Sequence, residues 1–337
     1  MARKPRIEFT GAVYHVISRG DRGEAIYQDD EDRLVFLRFL GEVCERTGWQ
    51  IHAFVLMTNH YHILLETPEA NLVVGMKWLQ GIYTQRFNLR HRLRGHLFQG
   101  RYKALLMDGE EAGYFLTASG YIHLNPVRAG LIKADQPLRT YRWSSFPSYL
   151  ASGNKRVEWL YVDRVFGEIG HGNDNRRSRQ AYERYMEDLA KKFREVEGKG
   201  ELEEKWKPLR RGWYMGDEAF RSRLLGLMEK TLEGKTRESF LGDELREHDE
   251  AQALKILQRG LDVLEISECD LQAKGKGAVE KQVLAWWLKK KTVVSRKWIS
   301  EKLRMGDLSR VTNAVRRVDL GKESEIRKWK RQLDKIS

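Results

Sequence analysis

The sequence predicts an α+β fold. A ferredoxin-like antiparallel sheet with helices on one face is followed by an all-α C-terminal region containing a helix-turn-helix. Three observations predict it. Hydrophobic periods over the first 125 residues run strand, helix, strand, strand, helix, strand, then an extra helix. The two middle strands are separated by only two residues, as in a hairpin. Beyond about residue 150, period-two alternation gives way to helical stripes and dense charge.

The elements follow in order. Gly11 to Ser18 alternates and is β-branched, which predicts a strand. Asp29 and Asp30 open a helix to Gly48, with Leu34, Phe36, Leu37, Leu40 and Val43 at helical spacing and an acidic start that suits the helix dipole. Trp49 to Met57 is a strand, Thr58-Asn59 the turn, and His60 to Glu66 its hairpin partner. Residues 70–91 return to helical period through Leu72, Met76, Leu79, Tyr83 and Phe87. Leu97 to Met107 reads as extended, and Glu110 to Leu124 as a helix stopped by Pro126. This is the split βαβ arrangement.

The division expected is a domain at 1–150, a charged helical linker region at 151–250, and a helical DNA-binding domain at 251–337. In the last, Val279, Val283, Leu284, Trp286 and Trp287 form one stripe, and Ser295 to Leu303 a short helix. A turn at Met305-Gly306-Asp307 leads to a third helix, Leu308 to Val318, with Ser, Arg, Thr and Asn facing outward. A plain three-helix bundle fits the same pattern.

The chain has 337 residues, enough for two or three domains. Its 41% hydrophobic and 32% charged residues are the balance of a folded soluble protein. A net charge of +13 and a pI of about 9.6 point to a polyanionic partner, nucleic acid first. A membrane partner is disfavoured, because no long apolar run or lipidation signal is present. Met1-Ala-Arg-Lys-Pro has no apolar segment behind it, so it does not read as a secretory signal. Cys44 and Cys269 support neither a disulfide framework nor a cysteine zinc site, and a cytoplasmic location is expected.

Two local patterns carry chemistry. His60-Tyr61-His62 on a strand sends both imidazoles to one face, making half of a divalent-metal site. Tyr121 and Asn125 are four apart on a helix, so a nucleophilic phenol and a ligating amide share a face. By spacing alone, the histidines fit packing as well, and Tyr121 fits a core aromatic.

These motifs stand in order with Gly95-His-Leu-Phe-Gln-Gly-Arg-Tyr-Lys103 between them and Asn125-Pro-Val-Arg-Ala-Gly130 after them. Over about residues 5–150 the sequence resembles the HUH single-tyrosine transposases, in particular the REP-associated tyrosine transposases and their insertion-sequence relatives. The resemblance implies that His60 and His62 hold Mg²⁺ or Mn²⁺ and that Asn125 is a third ligand. Many relatives carry a longer Gln at that position. It also implies that Tyr121 attacks single-stranded or hairpin DNA, leaving a 5′-phosphotyrosine and a free 3′-hydroxyl for strand transfer. One phosphoester replaces another, so no ATP is required.

Other residues compete for roles. Tyr114 is the alternative nucleophile. His123 reads as structural, and His15 as packing that lies near the site. Arg101, Lys103 and Arg128 are candidate phosphate contacts. Trp143, Phe146 and Tyr149 either stack bases or close the core. Arg310, Thr312 and Asn313 are candidate contacts to duplex DNA, in a stretch faintly similar to the DNA-binding domain of bacterial replication initiators. The alternative function is a domesticated repeat-DNA-binding regulator without cleavage. A relaxase-type nickase is a third reading, weakened by the lack of a Gly-rich phosphate loop with Lys. Relatives act as monomers or as dimers.

Overall fold

The computed structural model describes residues 6–170, 172–232, 243–292, 294–321 and 323–334. The basic Met1–Pro5 segment, and residues 233–242 of the stretch expected to be a linker, lie outside them. The chain divides into two compact units, Arg6–Leu224 and Leu225–Ser337. Residues 151–224, which composition groups with the charged region, thus pack in the same unit as the sheet.

The first unit begins with β1 (Ala12–Arg19), α1 (Asp30–Thr47), β2 (Gln50–Met57), β3 (His60–Thr67), α2 (Leu72–His91) and β4 (Lys103–Met107). The sheet order is β2-β3-β1-β4, with every one of these pairs antiparallel. This is the ferredoxin-like order, produced when each helix crosses over one intervening strand. The hairpin turns at Thr58-Asn59, where Met57 pairs with His60.

Asp29 caps α1 by accepting from the Asp32 backbone N–H at 3.0 Å, and Gly48 ends it in the left-handed region at φ 72°. Phe36, Leu40 and Val43 are buried as the spacing requires, but Leu34 is 49% exposed. The buried stripe runs through Val35 and Phe39 instead. α1 and α2 cover one face of the sheet, where Phe36 meets Tyr61 at 4.9 Å and Tyr83 at 5.1 Å between ring centroids. Gly75 lets α2 close on Trp49, since a Cβ there would lie 2.2 Å from the Trp49 ring.

Four features depart from the sequence reading. The stretch expected to be extended from Leu97 is strand only from Lys103, and Phe98 makes an isolated bridge with Gly20. A fifth strand, Tyr214–Met215, adds in parallel to Leu106 and Met107 at the sheet edge. The extra helix, α3 (Tyr114–His123), begins four residues later than expected and packs against β2 and β3 on the face opposite α1 and α2. Pro126 does not stop the helical path. It sits in the first turn of α4 (Asn125–Arg128), where a missing N–H costs little.

The face carrying α3 is completed by α5 (Phe146–Leu150), α6 (Asp163–Glu168), α7 (Arg176–Arg194), α8 (Val196–Lys205) and α9 (Lys207–Arg211). Tyr149, Phe166 and Tyr182 form a buried aromatic cluster among them. Phe146 and Tyr149 belong to this core, and Trp143, against Arg33 and Arg142, is buried as well, so the three offer no stacking surface here.

The second unit holds α11 (Asp243–Val263), α12 (Glu268–Ala273), α13 (Val279–Lys291), α14 (Arg296–Lys302), α15 (Leu308–Leu320) and α16 (Ser324–Asp334); α10 (Glu218–Leu232) spans the division between the units. Its core contains Trp286, Trp287, Trp298, Ile299, Val311, Ala314 and Val318. Ser295 and Asp307 cap α14 and α15, and Gly306 makes the turn between them at φ 92°. Val311, Ala314 and Val318 point inward, leaving Arg310, Thr312 and Asn313 exposed on the other side of α15.

Candidate active site

β3 brings His60 and His62 to one face by its period of two, while Tyr61 is buried against α1 on the other. α3 lays Tyr121 across the histidine face. Its ring lies 5.6 Å from that of His62 and 5.6 Å from that of His15, edge-on to both. His60 and His62 are 5.2 Å apart between ring centroids and nearly perpendicular. His60, His62 and Tyr121, singled out from two distant patterns, therefore meet on one face, and β1 adds His15.

The hydrogen bonds define what each ring can do. Asn59 donates its Nδ2 to the Gly23 carbonyl at 3.0 Å, which orients its amide. Its Oδ1 then accepts from His60 Nδ1–H at 2.7 Å. A neutral His60 consequently carries its proton on Nδ1 and keeps the Nε2 lone pair. His62 Nδ1 is engaged with His15 Nε2 at 2.9 Å. Burial is the main cause holding both rings neutral. It brings His60 down to about 4, with Arg19 and Arg128 assisting, and His62 well below its usual value, with His15, His60 and Arg128 assisting. Neutral imidazoles are the form that ligates a metal.

Asn125 has a second task. Pro126 has no N–H to offer Ile122, four residues back, and the Asn125 Nδ2 donates to the Ile122 carbonyl at 3.4 Å and to the Tyr121 carbonyl at 2.9 Å. This leaves Oδ1 facing Arg128, whose Nη1 donates to it at 3.3 Å. Among the described residues no three His, Cys, Asp or Glu side chains converge as a metal cluster. A divalent ion here would depend on two imidazole nitrogens, an amide oxygen now facing a guanidinium, and oxygens from water or substrate. The two histidines fit such an ion, because each has its Nδ1 occupied and, among the described residues, no hydrogen-bond partner recorded for its Nε2.

Arg128 is central to the cover of the site. Its guanidinium lies 4.7 Å above the Tyr121 ring and 5.7 Å from the Trp206 ring, and it pairs with Glu203 at 3.3 Å. Glu203 also pairs with Arg210. Trp206 meets the Tyr121 ring at 5.6 Å. Tyr121 is only 4% exposed as a result. Asn59, Trp206, Glu203 and Arg210 were not singled out from the sequence. Asn59 was legible as the turn residue beside His60, whereas the other three sit in a charged stretch with no distinguishing pattern.

The remaining candidates fall elsewhere. Tyr114, at the start of α3, faces Glu111, Asp108 and Asp217; burial and these carboxylates raise its pKa, which opposes forming a nucleophilic phenolate there. His123 is buried between the Tyr182 hydroxyl at 2.8 Å and the Ser145 hydroxyl at 2.6 Å and braces α3. Arg101 and Lys103 are exposed at the start of β4. Arg296 donates to the Thr312 hydroxyl at 3.2 Å in the second unit.

Comparison with known proteins finds a partial similarity that includes this face. Residues 8–125, about a third of the chain, match the family model of the IS200-like transposases, and over that stretch the chain is similar to them. The matched segment runs from just before β1 to Asn125, and so contains His15, His60, His62 and Tyr121. Among solved structures, a REP-associated tyrosine transposase bound to a REP hairpin is similar at 16% identity with a TM-score of 0.36, over 52% of this chain and 99% of that one. No curated protein matches the chain. Among the described residues no helix is long and apolar enough to cross a membrane.

Proposed function

We propose that the protein is a metal-dependent single-stranded DNA endonuclease and strand transferase of the REP-associated branch, acting on hairpin or palindromic repeat DNA through Tyr121. The observation that carries this is the meeting of the Tyr121 ring with the His62 ring at 5.6 Å, on the face where His60 also points. A single candidate nucleophile beside a pair of neutral imidazoles is an arrangement suited to phosphoryl transfer.

His60 and His62 would hold Mg²⁺ or Mn²⁺, with the Asn125 oxygen as third ligand once Arg128 turns away from it. Bound there, the ion supplies charge withdrawal from the scissile phosphate and orients it. The Tyr121 oxygen forms a bond to phosphorus as the bond to the 3′-oxygen breaks. The phenol gives up its proton and the departing 3′-oxygen takes one up. A second 3′-hydroxyl reverses the exchange on a new partner. Arg128, half-buried beside Tyr121, is placed to contact a phosphate when it leaves Glu203. Arg101 and Lys103 supply further phosphate contacts, and Arg310, Thr312 and Asn313 contact duplex DNA from the second unit. Its partner is DNA rather than a membrane, and the protein acts in the cytoplasm as a monomer or dimer.

One observation favours a second reading. Trp206 and Arg128 cover Tyr121, as a repeat-DNA-binding regulator without cleavage would tolerate. Nicking of labelled hairpin DNA separates the two. The transposase reading expects Mg²⁺- or Mn²⁺-dependent nicking that His60→Ala abolishes while hairpin retardation on a native gel persists. Retardation without nicking by the unaltered protein, across a panel of hairpins, supports the regulator.

A further inference from the structure

His60 and His62 differ in how their protons are placed. Asn59 assigns the His60 proton to Nδ1, because an amide oxygen can only accept. His62 has no such anchor. Its Nδ1 faces another imidazole nitrogen, His15 Nε2, at 2.9 Å, and either ring can donate. The two choices have opposite consequences. If His15 donates, the neutral His62 carries its proton on Nε2, and that nitrogen has no lone pair for a metal. If His62 donates, its Nε2 lone pair is free, and the His15 proton moves to Nδ1.

His15 is built for this contact. It lies on β1 between β3 and β4 and is fully buried. Its ring lies nearly parallel to that of His62, with centroids 5.1 Å apart and an interplanar angle of 17°, and its edge abuts Tyr121. Its Nδ1 is buried without a hydrogen-bond partner among the described residues. Neither tautomer of His15 is therefore anchored from its far side, so the pair is free to adopt the form that an ion at His62 Nε2 selects. A carboxylate or carbonyl usually fills this role for a ligating histidine, and losing such a partner typically weakens metal binding about 10- to 100-fold.

We propose that His15 is a positioning residue: by accepting the His62 Nδ1 proton it holds the His62 Nε2 lone pair, and the plane of that ring, ready for a divalent cation beside Tyr121. The inference rests on the metal-dependent reading above. It assigns a role to a β1 histidine that reads from sequence as packing.

The test measures Mn²⁺ binding to the full-length protein by electron paramagnetic resonance of the free ion, without DNA or turnover. His62→Ala serves as the reference for loss of the site, and thermal unfolding checks that each variant folds. His15→Phe keeps a ring of similar size but no acceptor, and should weaken Mn²⁺ binding about 10- to 100-fold. His15→Gln, whose amide oxygen can accept from His62, should recover most of the affinity. The ¹⁵N shifts of His62 supply a second readout: with a diamagnetic divalent ion bound, the wild-type protein and the Gln variant should show a protonated Nδ1. Equal affinity in wild type and His15→Phe overturns the proposal. Failure of His15→Gln to exceed His15→Phe reduces His15 to a packing residue and also overturns it. Absence of Mn²⁺ binding by the unaltered protein, at an affinity no better than His62→Ala, instead defeats the metal-dependent reading itself.

Discussion

Acid should weaken the first unit well before its carboxylates titrate, because His15 and His123 are fully buried as neutral rings. Burial lowers both to about 3, whereas a free imidazole titrates near 6.5. The unfolded chain therefore takes up protons that the folded chain refuses. Stability is complete above pH 6.5 and declines as pH falls through the interval down to about 3. Between pH 7 and pH 4.5 each ring costs about 2.5 kcal/mol, or roughly 5 kcal/mol for the two. That is comparable with the total stability of an ordinary domain. His60, lowered to about 4, and His62 act with the same sign. The assay is urea unfolding at a series of pH values, followed by hydrogen exchange of β1 and β3 peptides so that this unit is read separately. His123→Gln can still bond Tyr182 or Ser145 and should remove about 2.5 kcal/mol of the pH dependence. Unchanged stability of the strands between pH 7 and 4.5, or an identical slope in the variant, would refute the reasoning.

Two other predictions follow from packing and charge. Gly75→Ala drives a methyl group into the buried Trp49 ring, where its Cβ would lie 2.2 Å away, so it should lower stability by about 1–3 kcal/mol in chemical denaturation. Arg310→Ala removes an exposed cation from α15. If that face contacts duplex DNA, the salt dependence of duplex binding should lose about one phosphate contact, and an unchanged salt slope removes Arg310 from the interface.

The parts legible in the sequence are those governed by local period. A strand's period of two put His60 and His62 together, and the order of strands and helices was enough to give the ferredoxin-like arrangement of the sheet. Tyr121 and Asn125 do share the last turns of one helical path, through the i, i+4 relation. What the sequence hid depends on distant pairing. Tyr214–Met215 is too short to show alternation and exists as a strand only because β4 offers an open edge. Trp206 and Glu203 reach Tyr121 and Arg128 from some 80 residues away, within a stretch whose charge looks solvated. Pro126 misled for a local reason: a helix turn can begin around a proline, and Asn125 replaces the hydrogen bond that the proline cannot make. His15 was visible as a residue of β1, but only the register of β1 against β3 brings it to His62.

The central claim is that Tyr121 becomes covalently joined to DNA. The most direct measurement is a denaturing gel of the protein mixed with labelled single-stranded hairpin DNA and Mn²⁺ or Mg²⁺, with Tyr121→Phe alongside and the linked peptide sequenced by mass spectrometry. The account predicts a metal-dependent adduct, absent in the variant, with the nucleotide on the peptide that contains Tyr121. An adduct that persists in Tyr121→Phe, or a nucleotide carried on Tyr114, would contradict it.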